Sequence, residues 1–272
     1  MGRFDLTDRQ WERLEPLLPP ERPRTGRPND DHRRIVNGIL WVLRTGAPWR
    51  DLPERYGPVG TVSSRFYRWR EARVWDRVLA PPCRPRPMPG ARSTGACTLS
   101  TPPSFVRTST PPAPAGPAPS GGEGEALGRS QGGFSTKIHL RAEGNGKPIT
   151  AVLTSGQRHE QIALEAVLDR GAIRRQGRGR PRLRPRRVAG DKGYSSPTAR
   201  GRIRRRGIRP VIPTKSNEPR DPAFDREAYR ERNRIERLIN RLKQFRRIAT
   251  RYEKRAINYL AMLTIGMSLL WL

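Results

Sequence analysis

The chain has 272 residues, enough for one large domain or two smaller ones with a hydrophobic core. Lysine and arginine total 55 against 25 acidic residues, a formal net charge of +30 that indicates a polyanionic partner, most simply nucleic acid. Two cysteines and three histidines form no zinc or disulfide pattern, and the final apolar stretch, residues 256–272, is too short for a membrane span. We therefore expect a cytoplasmic, nucleoid-associated protein with no membrane partner.

Residues 1–80 are predicted to form a helical domain. The first helix begins at Thr7, a capping residue followed three positions later by glutamine. A second helix starts at Asp30 or Asp31, and a third covers residues 61–70 with its large apolar side chains on one buried side. This pattern favours a helix-turn-helix DNA reader, although many small helical bundles also have an arginine-bearing face. The outward side chains of the third helix are predicted to be Ser64, Arg65, Arg68 and Arg70.

The connector between the first two predicted helices is basic and rich in glycine and proline. Residues 22–28 include Arg24 and Arg27. A flexible arm of this composition can lie along DNA phosphates or in a minor groove. A plain solvated loop is an equally open alternative.

Residues 81–122 differ from everything around them. They are rich in proline, serine, threonine and alanine and have no sustained apolar period. By composition this segment is predicted to be a disordered linker. A structureless insert of this length between two ordered parts is uncommon and requires an explanation.

Residues 123–272 show a mixed α/β pattern. Two strands, 135–141 and 149–153, are joined by a glycine-containing turn, and a helix at 160–168 follows. Further along come a short strand that ends at Asp191, a helix and another strand, and then an apolar helical periodicity across residues 229–252. Such patterns place functional groups at strand ends.

Two acids in this second part have surroundings that indicate chemistry. Asp191 follows a strand, and Glu236 lies on a helix, so the two can converge from different elements and bind Mg2+ through carboxylate oxygens. Lys243, two helical turns after Glu236, can hold a DNA phosphate. The alternatives are that Glu236 simply pairs with Arg232 on a solvated helix and that Asp191 only forms a turn.

Several blocks of the sequence resemble the bacterial insertion-sequence transposases of the IS-four and IS-five kind. They include LTDRQWERLEPLLPP, NGILWVLRTGAPWRDLPERYGP, EALGRSQGGFSTKIHLRA, AGDKGYSS and RNRIERLINRLKQFRRIATRYEK, within residues 1–79 and 123–272. The most specific block is the family signature of tyrosine, two residues, arginine, three residues, glutamate, six residues and lysine. Its matches here are Tyr229, Arg232, Glu236 and Lys243.

This resemblance implies a ribonuclease-H-like catalytic domain with an Asp, Asp, Glu triad that binds two Mg2+ (or Mn2+) ions. Asp191 would be the second acid and Glu236 the third, and both would be metal ligands. The implied activity is cleavage of double-stranded DNA at the ends of the element, followed by transfer of the freed 3′ hydroxyl to target DNA. A homodimer on DNA is an accompanying expectation.

The family's first acid is missing from its expected position near residue 100. No aspartate occurs between Asp76 and Asp169. If residues 99–114 are encoded by suitable G/C-rich codons, regrouping them by one base gives VDSTVVRAHQHA, a run like the family's VDST-VVRAHQH, with the lost Asp codon straddling Ser100 and Thr101. Because both flanks are in the family's phase, two compensating shifts or a sequencing error are required.

The sequence therefore predicts an α/β protein in three parts. These are a helical DNA-binding domain at 1–80, an aberrant linker at 81–122 and a ribonuclease-H-like domain at 123–272 that lacks its first strand. We expect a transposase by descent whose cleavage activity is impaired because one of three metal ligands is absent. The alternative is a non-catalytic DNA-binding protein or transposition inhibitor, and a basic RNA-binding or ribosome-associated protein is a more distant one.

Overall fold

The computed structural model describes residues 2–22, 30–79, 96–100, 105–106, 125–130, 133–171, 184–222 and 224–272. The chain forms two compact units. We call residues 1–79 with 242–272 the helical unit, and residues 80–241 the sheet unit. The mixed α/β class with N-terminal helices is confirmed. Residues 242–272, which the sequence analysis grouped with the catalytic domain, belong instead to the helical unit.

The first helices of the helical unit begin and end where local chemistry dictates. The Thr7 hydroxyl accepts from Gln10 N, and the Gln10 side chain accepts in return from Thr7 N, which completes the predicted capping box. Asp31 caps the second helix, and Gly46, at φ 74°, ends it in a left-handed conformation. The bounds in chain order are α1 Asp8–Leu14, α2 His32–Thr45, α3 Val59–Glu71 and α4 Val74–Leu79.

The C-terminal segment completes this unit with α9 (Arg246–Ala249) and α10 (Ala256–Leu269). Every residue from 261 to 268 is buried. A helix that is apolar on all sides must be surrounded by other elements, and α10 packs on α3, α4 and α9. This packing requirement is why the end of the chain joins the helices at its beginning.

The sheet unit is built on seven strands among the described residues. The sheet order is β2-β4-β1-β6-β7, and β3 and β5 also pair with β4. In chain order the strands are β1 Ala96–Ser100, β2 Phe105–Val106, β3 Gly128–Ser130, β4 Gly133–Ala142, β5 Pro148–Ser155, β6 Arg187–Ala189 and β7 Arg209–Val211.

The helices of the sheet unit pack on this sheet. In chain order they are α5 Leu164–Asp169, α6 Pro197–Arg205 and α7 Arg226–Arg230, followed by α8 (Asn233–Lys243), which runs past the end of the unit. The buried apolar cluster comprises Ile149, Ala163, Leu164, Val167, Leu168, Val188, Tyr194, Ala199, Ile203, Ile208 and Ile212.

The prediction that residues 81–122 form only a disordered linker is wrong where the segment is described. β1 lies in the middle of the sheet, antiparallel to β4 and parallel to β6, and β2 also pairs with β4. The expected absence of the first strand is therefore also wrong. Without β1, the backbone groups of β4 and β6 along these pairings would have no strand partner, and sheet pairing depends on backbone groups more than on residue type.

The apolar periodicity of residues 229–252 does not produce one helix. α7 ends at Arg230, α8 covers Asn233–Lys243, and α9 begins at Arg246. Between α8 and α9, Phe245 takes an extended conformation with φ −81° and ψ 105°. Apolar spacing shows which residues are buried but not whether the backbone continues unbroken between them.

Candidate active site

Asp191 lies just beyond the C-terminal end of β6. Its Oδ1 atom accepts from Gly193 N at 2.8 Å and thereby caps a short 3-10 helix, Lys192–Tyr194. Burial raises the pKa of the Asp191 carboxyl, the Gly193 N–H and the Arg232 charge lower it, and Glu160 and Glu236 raise it, with a net rise. Asp191 thus acts in the predicted turn and also lies within the electrostatic reach of two other acids and one arginine.

Glu236 lies in the first turn of α8. Its Oε1 atom accepts from Arg232 Nη1 at 2.5 Å, and the Arg232 guanidinium lies 5.5 Å from the centroid of the Tyr229 ring. The Glu236 side chain is 41% exposed, against 23% for Arg232. The ion pair that sequence spacing allowed is present, and the same arginine also interacts with Asp191. The structure therefore brings together Tyr229, Arg232, Glu236 and Asp191.

The sequence analysis missed a third acid beside Asp191. Glu160 begins the short helix that follows β5, and its Oε1 atom lies 2.8 Å from Lys137 Nζ of β4. A Cβ atom on Gly193 would lie 3.0 Å from Asp191 Oδ1 and 3.4 Å from Glu160 Oε2, so the backbone at 193 lies close to both carboxylates. Burial raises the pKa of Glu160, but Lys137, a backbone hydrogen bond and His159 together lower it, and the net change is a lower pKa. Its position in sequence, at a predicted helix start, gave no signal of this.

The described side chains do not complete a metal site. In that part of the chain, no group of three or more His, Cys, Asp or Glu side chains is arranged to hold a metal ion. Arg232 donates to Glu236, and Lys137 donates to Glu160, so each of these carboxylates already has a cationic partner. Hard divalent ions require several oxygen ligands at once, and this set does not provide them.

The sheet register shows which position of β1 aligns with Asp191. β1 pairs with β6 in parallel, and Thr98 is opposite Ala189. Position 100 therefore lies level with Asp191, since each is two residues beyond that pair. β1 contains no acidic residue, and Ser100 stands at this level.

The prediction that four side chains of α3 point outward is only partly confirmed. Ser64 and Arg68 are exposed. Arg65 is 5% exposed, lies 5.6 Å from the Trp69 ring centroid, and has its Nη1 atom 3.3 Å from His32 Nδ1. The prediction that Arg65 faces outward is wrong because its guanidinium stacks on an aromatic ring one turn away.

The other predicted DNA contacts are less available or lie outside the structure. The Arg70 side chain is 9% exposed and pairs with Glu71 at 2.5 Å, so it too departs from the predicted open position. It also donates to the Asn258 side chain. Arg24 and Arg27 lie outside the described residues.

Two models of known families match the chain. Residues 104–271 match a family model described as the transposase DDE domain. The chain belongs to the DDE transposase family. Residues 6–79 of this transposase chain also match a family model described as a transposase of the IS4/5 family. The family resemblance drawn from the sequence is confirmed.

Individual proteins that resemble the transposase chain match at most half of it. A protein named as the transposase for insertion sequence element IS402 of Burkholderia cepacia is 34% identical over 135 residues, which is 50% of this chain and 62% of that protein. A 16.2 kDa uncharacterized protein of the same element is 43% identical over 84 residues, 29% of this chain and 57% of that protein. The uncharacterized protein y4sN of Sinorhizobium fredii is 41% identical over 75 residues, 28% and 60% respectively. The chain thus spans about 60% of the length of these relatives.

No solved structure matches the chain. In the described residues, no helix is long and apolar enough to cross a membrane.

Proposed function

We propose that this DDE transposase chain binds double-stranded DNA and has lost most or all of its capacity to cleave it. The reaction of its ancestors would be hydrolysis at the element ends followed by strand transfer, with Mg2+ or Mn2+ as the cofactor. We assign Asp191 and Glu236 to that site as acids and Lys243 as a phosphate contact. Tyr229 and Arg232 would position Glu236.

The observation that carries the proposal is the residue level with Asp191 on β1. Position 100 is occupied by Ser100, whereas the family resemblance implies a third metal-binding carboxylate on this strand, near residue 100. Asp191 is half-buried and interacts with Glu160 and Glu236, so the remaining acids still cluster. The loss of one ligand from such a cluster leaves the others without the ion that would offset their repulsion.

A plasmid assay tests the proposal. The purified chain is incubated with MgCl2 or MnCl2 and a supercoiled plasmid that carries its gene with the natural flanking DNA. We expect no more nicking than with an Asp191→Asn variant. Ser100→Asp should give metal-dependent nicking, which Asp191→Asn added to it should abolish.

Leu99→Asp is the matched control, since strand alternation assigns position 99 to the opposite face of β1. It adds the same charge one residue away and should not restore nicking. Metal-dependent nicking by the unaltered chain would overturn the proposal. Equal restoration by Leu99→Asp would show that register at position 100 does not matter.

The origin of the missing acid has a separate test. We propose that two compensating frame changes, or an error in the gene sequence, replaced a family-like run with residues 81–122. Resequencing the gene decides this. The hypothesis fails if the codons for residues 99–114 cannot be regrouped into a run whose aspartate codon straddles the codons of Ser100 and Thr101.

A non-catalytic role as a transposition inhibitor is the second candidate. The observation that favours it is that the described helices of the helical unit have their capping box and a buried core, while β1 contains no acid. The exposed Arg68 and Ser64 of α3 would contact DNA, and a homodimer would bind two element ends. The chain should then compete with an intact copy for end DNA, and Arg68→Ala should weaken that competition.

A further inference from the structure

A strongly basic edge lies at the start of the parallel strands of the sheet unit. β6, α6 and β7 form a strand–helix–strand unit in which the two strands run parallel. Arg209 N donates to Arg186 O at 3.0 Å, so the beginnings of both strands adjoin. α6 ends beside them, because Gly207 N donates to Arg204 O at 2.8 Å and β7 begins two residues later.

Four exposed arginines meet at this place, which we call the basic edge. One immediately precedes β6, one is the first residue of β7, and two come from the last turn of α6. They are Arg186, Arg204, Arg205 and Arg209. A helix C-terminus favours positive charge in its last turn, which accounts for Arg204 and Arg205 but not for Arg186, which precedes a strand.

Neighbouring acids are already engaged by other arginines. Arg206 pairs with Asp169 at 2.5 Å and also with Glu165, and Arg202 lies 3.8 Å from Glu165. Arg187 pairs with Asp225 at 3.4 Å and with Glu231 at 3.6 Å. The arginines that flank the basic edge are therefore neutralised by α5 and by the segment around α7.

Three of the four arginines of the basic edge are not neutralised in this way. Within the described ranges, no carboxylate forms an ion pair with Arg186, Arg204 or Arg205. Like charges held together without counter-ions repel and favour a polyanion. Guanidinium groups on fixed backbone positions suit phosphate oxygens, which they can bind in a bidentate manner.

The basic edge is separate from the acids. It lies where β6 begins, and Asp191 lies where β6 ends, five residues along an extended chain that rises about 3.3 Å per residue. A phosphate held by the edge is thus not the one beside Asp191. We infer that the basic edge binds the backbone of double-stranded DNA, independently of sequence, at a second place outside the candidate active site.

Salt dependence tests this inference on the full chain. Affinity for a short labelled duplex of random sequence is measured across a salt series. Because each phosphate contact contributes about 0.9 to the slope of log K against log salt, Arg204→Gln with Arg205→Gln should reduce that slope by about 2. Arg186→Gln alone should reduce it by about 1.

Arg9→Gln with Arg50→Gln is the matched control. It removes the same charge from two exposed residues of the helical unit and should leave the slope within experimental error. An equal reduction in this control would show that net charge alone acts and would overturn the inference. An unchanged slope in the Arg204 and Arg205 variant would also overturn the inference. If that variant instead loses affinity for polyglutamate, the partner of the basic edge is an acidic protein and not DNA.

The inference does not depend on whether the chain cleaves DNA. The same slopes are therefore measured in an Arg68→Ala background, which removes the contact proposed for α3. A slope difference that persists there supports the basic edge even if the role of α3 fails. A difference that disappears there overturns the inference, because the edge would then have no binding of its own.

Discussion

In the helical unit a buried salt bridge is enclosed by aromatic rings, whereas the sheet unit buries a histidine in its neutral form. Arg247 and Glu253 are 8% and 5% exposed, and the Arg247 guanidinium lies near the rings of Trp49 and Tyr252. In the sheet, His139 is 1% exposed and contacts the hydroxyls of Tyr194 and Thr154. A buried charge must be paired or removed. The helical unit pairs its buried charges, whereas the sheet unit keeps its buried histidine uncharged.

Removing the acid from the helical unit should give the largest effect. Glu253→Gln leaves Arg247 buried with its bond to Ala47 O but no counter-charge. We expect the free energy of unfolding to fall by about 3–5 kcal/mol. Urea unfolding followed by tryptophan fluorescence measures it, since all six tryptophans lie in this unit.

An exposed salt bridge in the same unit provides the control. The Arg33 Nη2 and Asp8 Oδ1 atoms are 2.5 Å apart, as are the Arg247 Nε and Glu253 Oε1 atoms, but the Asp8 side chain is 79% exposed. Asp8→Asn should cost less than about 1 kcal/mol. If the two variants lose the same stability, burial is not what distinguishes the Arg247–Glu253 pair.

Acidification should have the next largest effect, and it should destabilise the sheet unit. Burial lowers the pKa of His139 to about 4, from 6.5. The unfolded chain therefore binds this proton more readily, and the free energy of unfolding should fall by roughly 3 kcal/mol as pH drops from near 7 to about 4. Hydrogen exchange of β4 and β5 amides measures the loss.

His139→Gln separates this proton from the other groups that titrate in the same range. The variant should retain only the pH dependence due to those groups, so its stability should fall less between pH 7 and about 4. Tryptophan emission from the helical unit should not follow the His139 difference. Identical pH profiles for the variant and the unaltered chain would contradict the assignment.

The smallest predicted effect concerns the first helix. Thr7→Ala removes the bond to Gln10 N and should cost about 1 kcal/mol in the tryptophan-detected unfolding. Thr61, in the first turn of α3, has no side-chain capping role there. Thr61→Ala should therefore change stability by only a few tenths of a kcal/mol, and an equal loss would argue against the cap.

Local chemistry in the sequence predicted what depends on near neighbours. The Thr7 and Asp31 caps, the buried side of α3 and the β4–β5 hairpin all occur as expected. Each depends on residues within a few positions of one another, so spacing is sufficient to predict it. The signature spacing likewise identified Arg232 beside Glu236.

The errors concern contacts between residues far apart in sequence. Glu160 meets Lys137 and Asp191, and the buried Arg65 has its Nη1 atom 3.3 Å from His32 Nδ1 instead of facing outward. The strand at 96–100 has no apolar pattern of its own and is placed by its neighbours β4 and β6. Composition cannot reveal a strand whose partners supply its hydrogen bonds.

The sequence by itself determined the family and, outside residues 81–122, most of the helices and strands, because motif spacing and apolar period are local properties. Only the tertiary structure decided that the C-terminal helix completes the N-terminal unit, that residue 100 lies level with Asp191, and that four arginines meet at one edge. The physical reason is that sheet register and helix packing bring together residues whose separation along the chain contains no record of the contact.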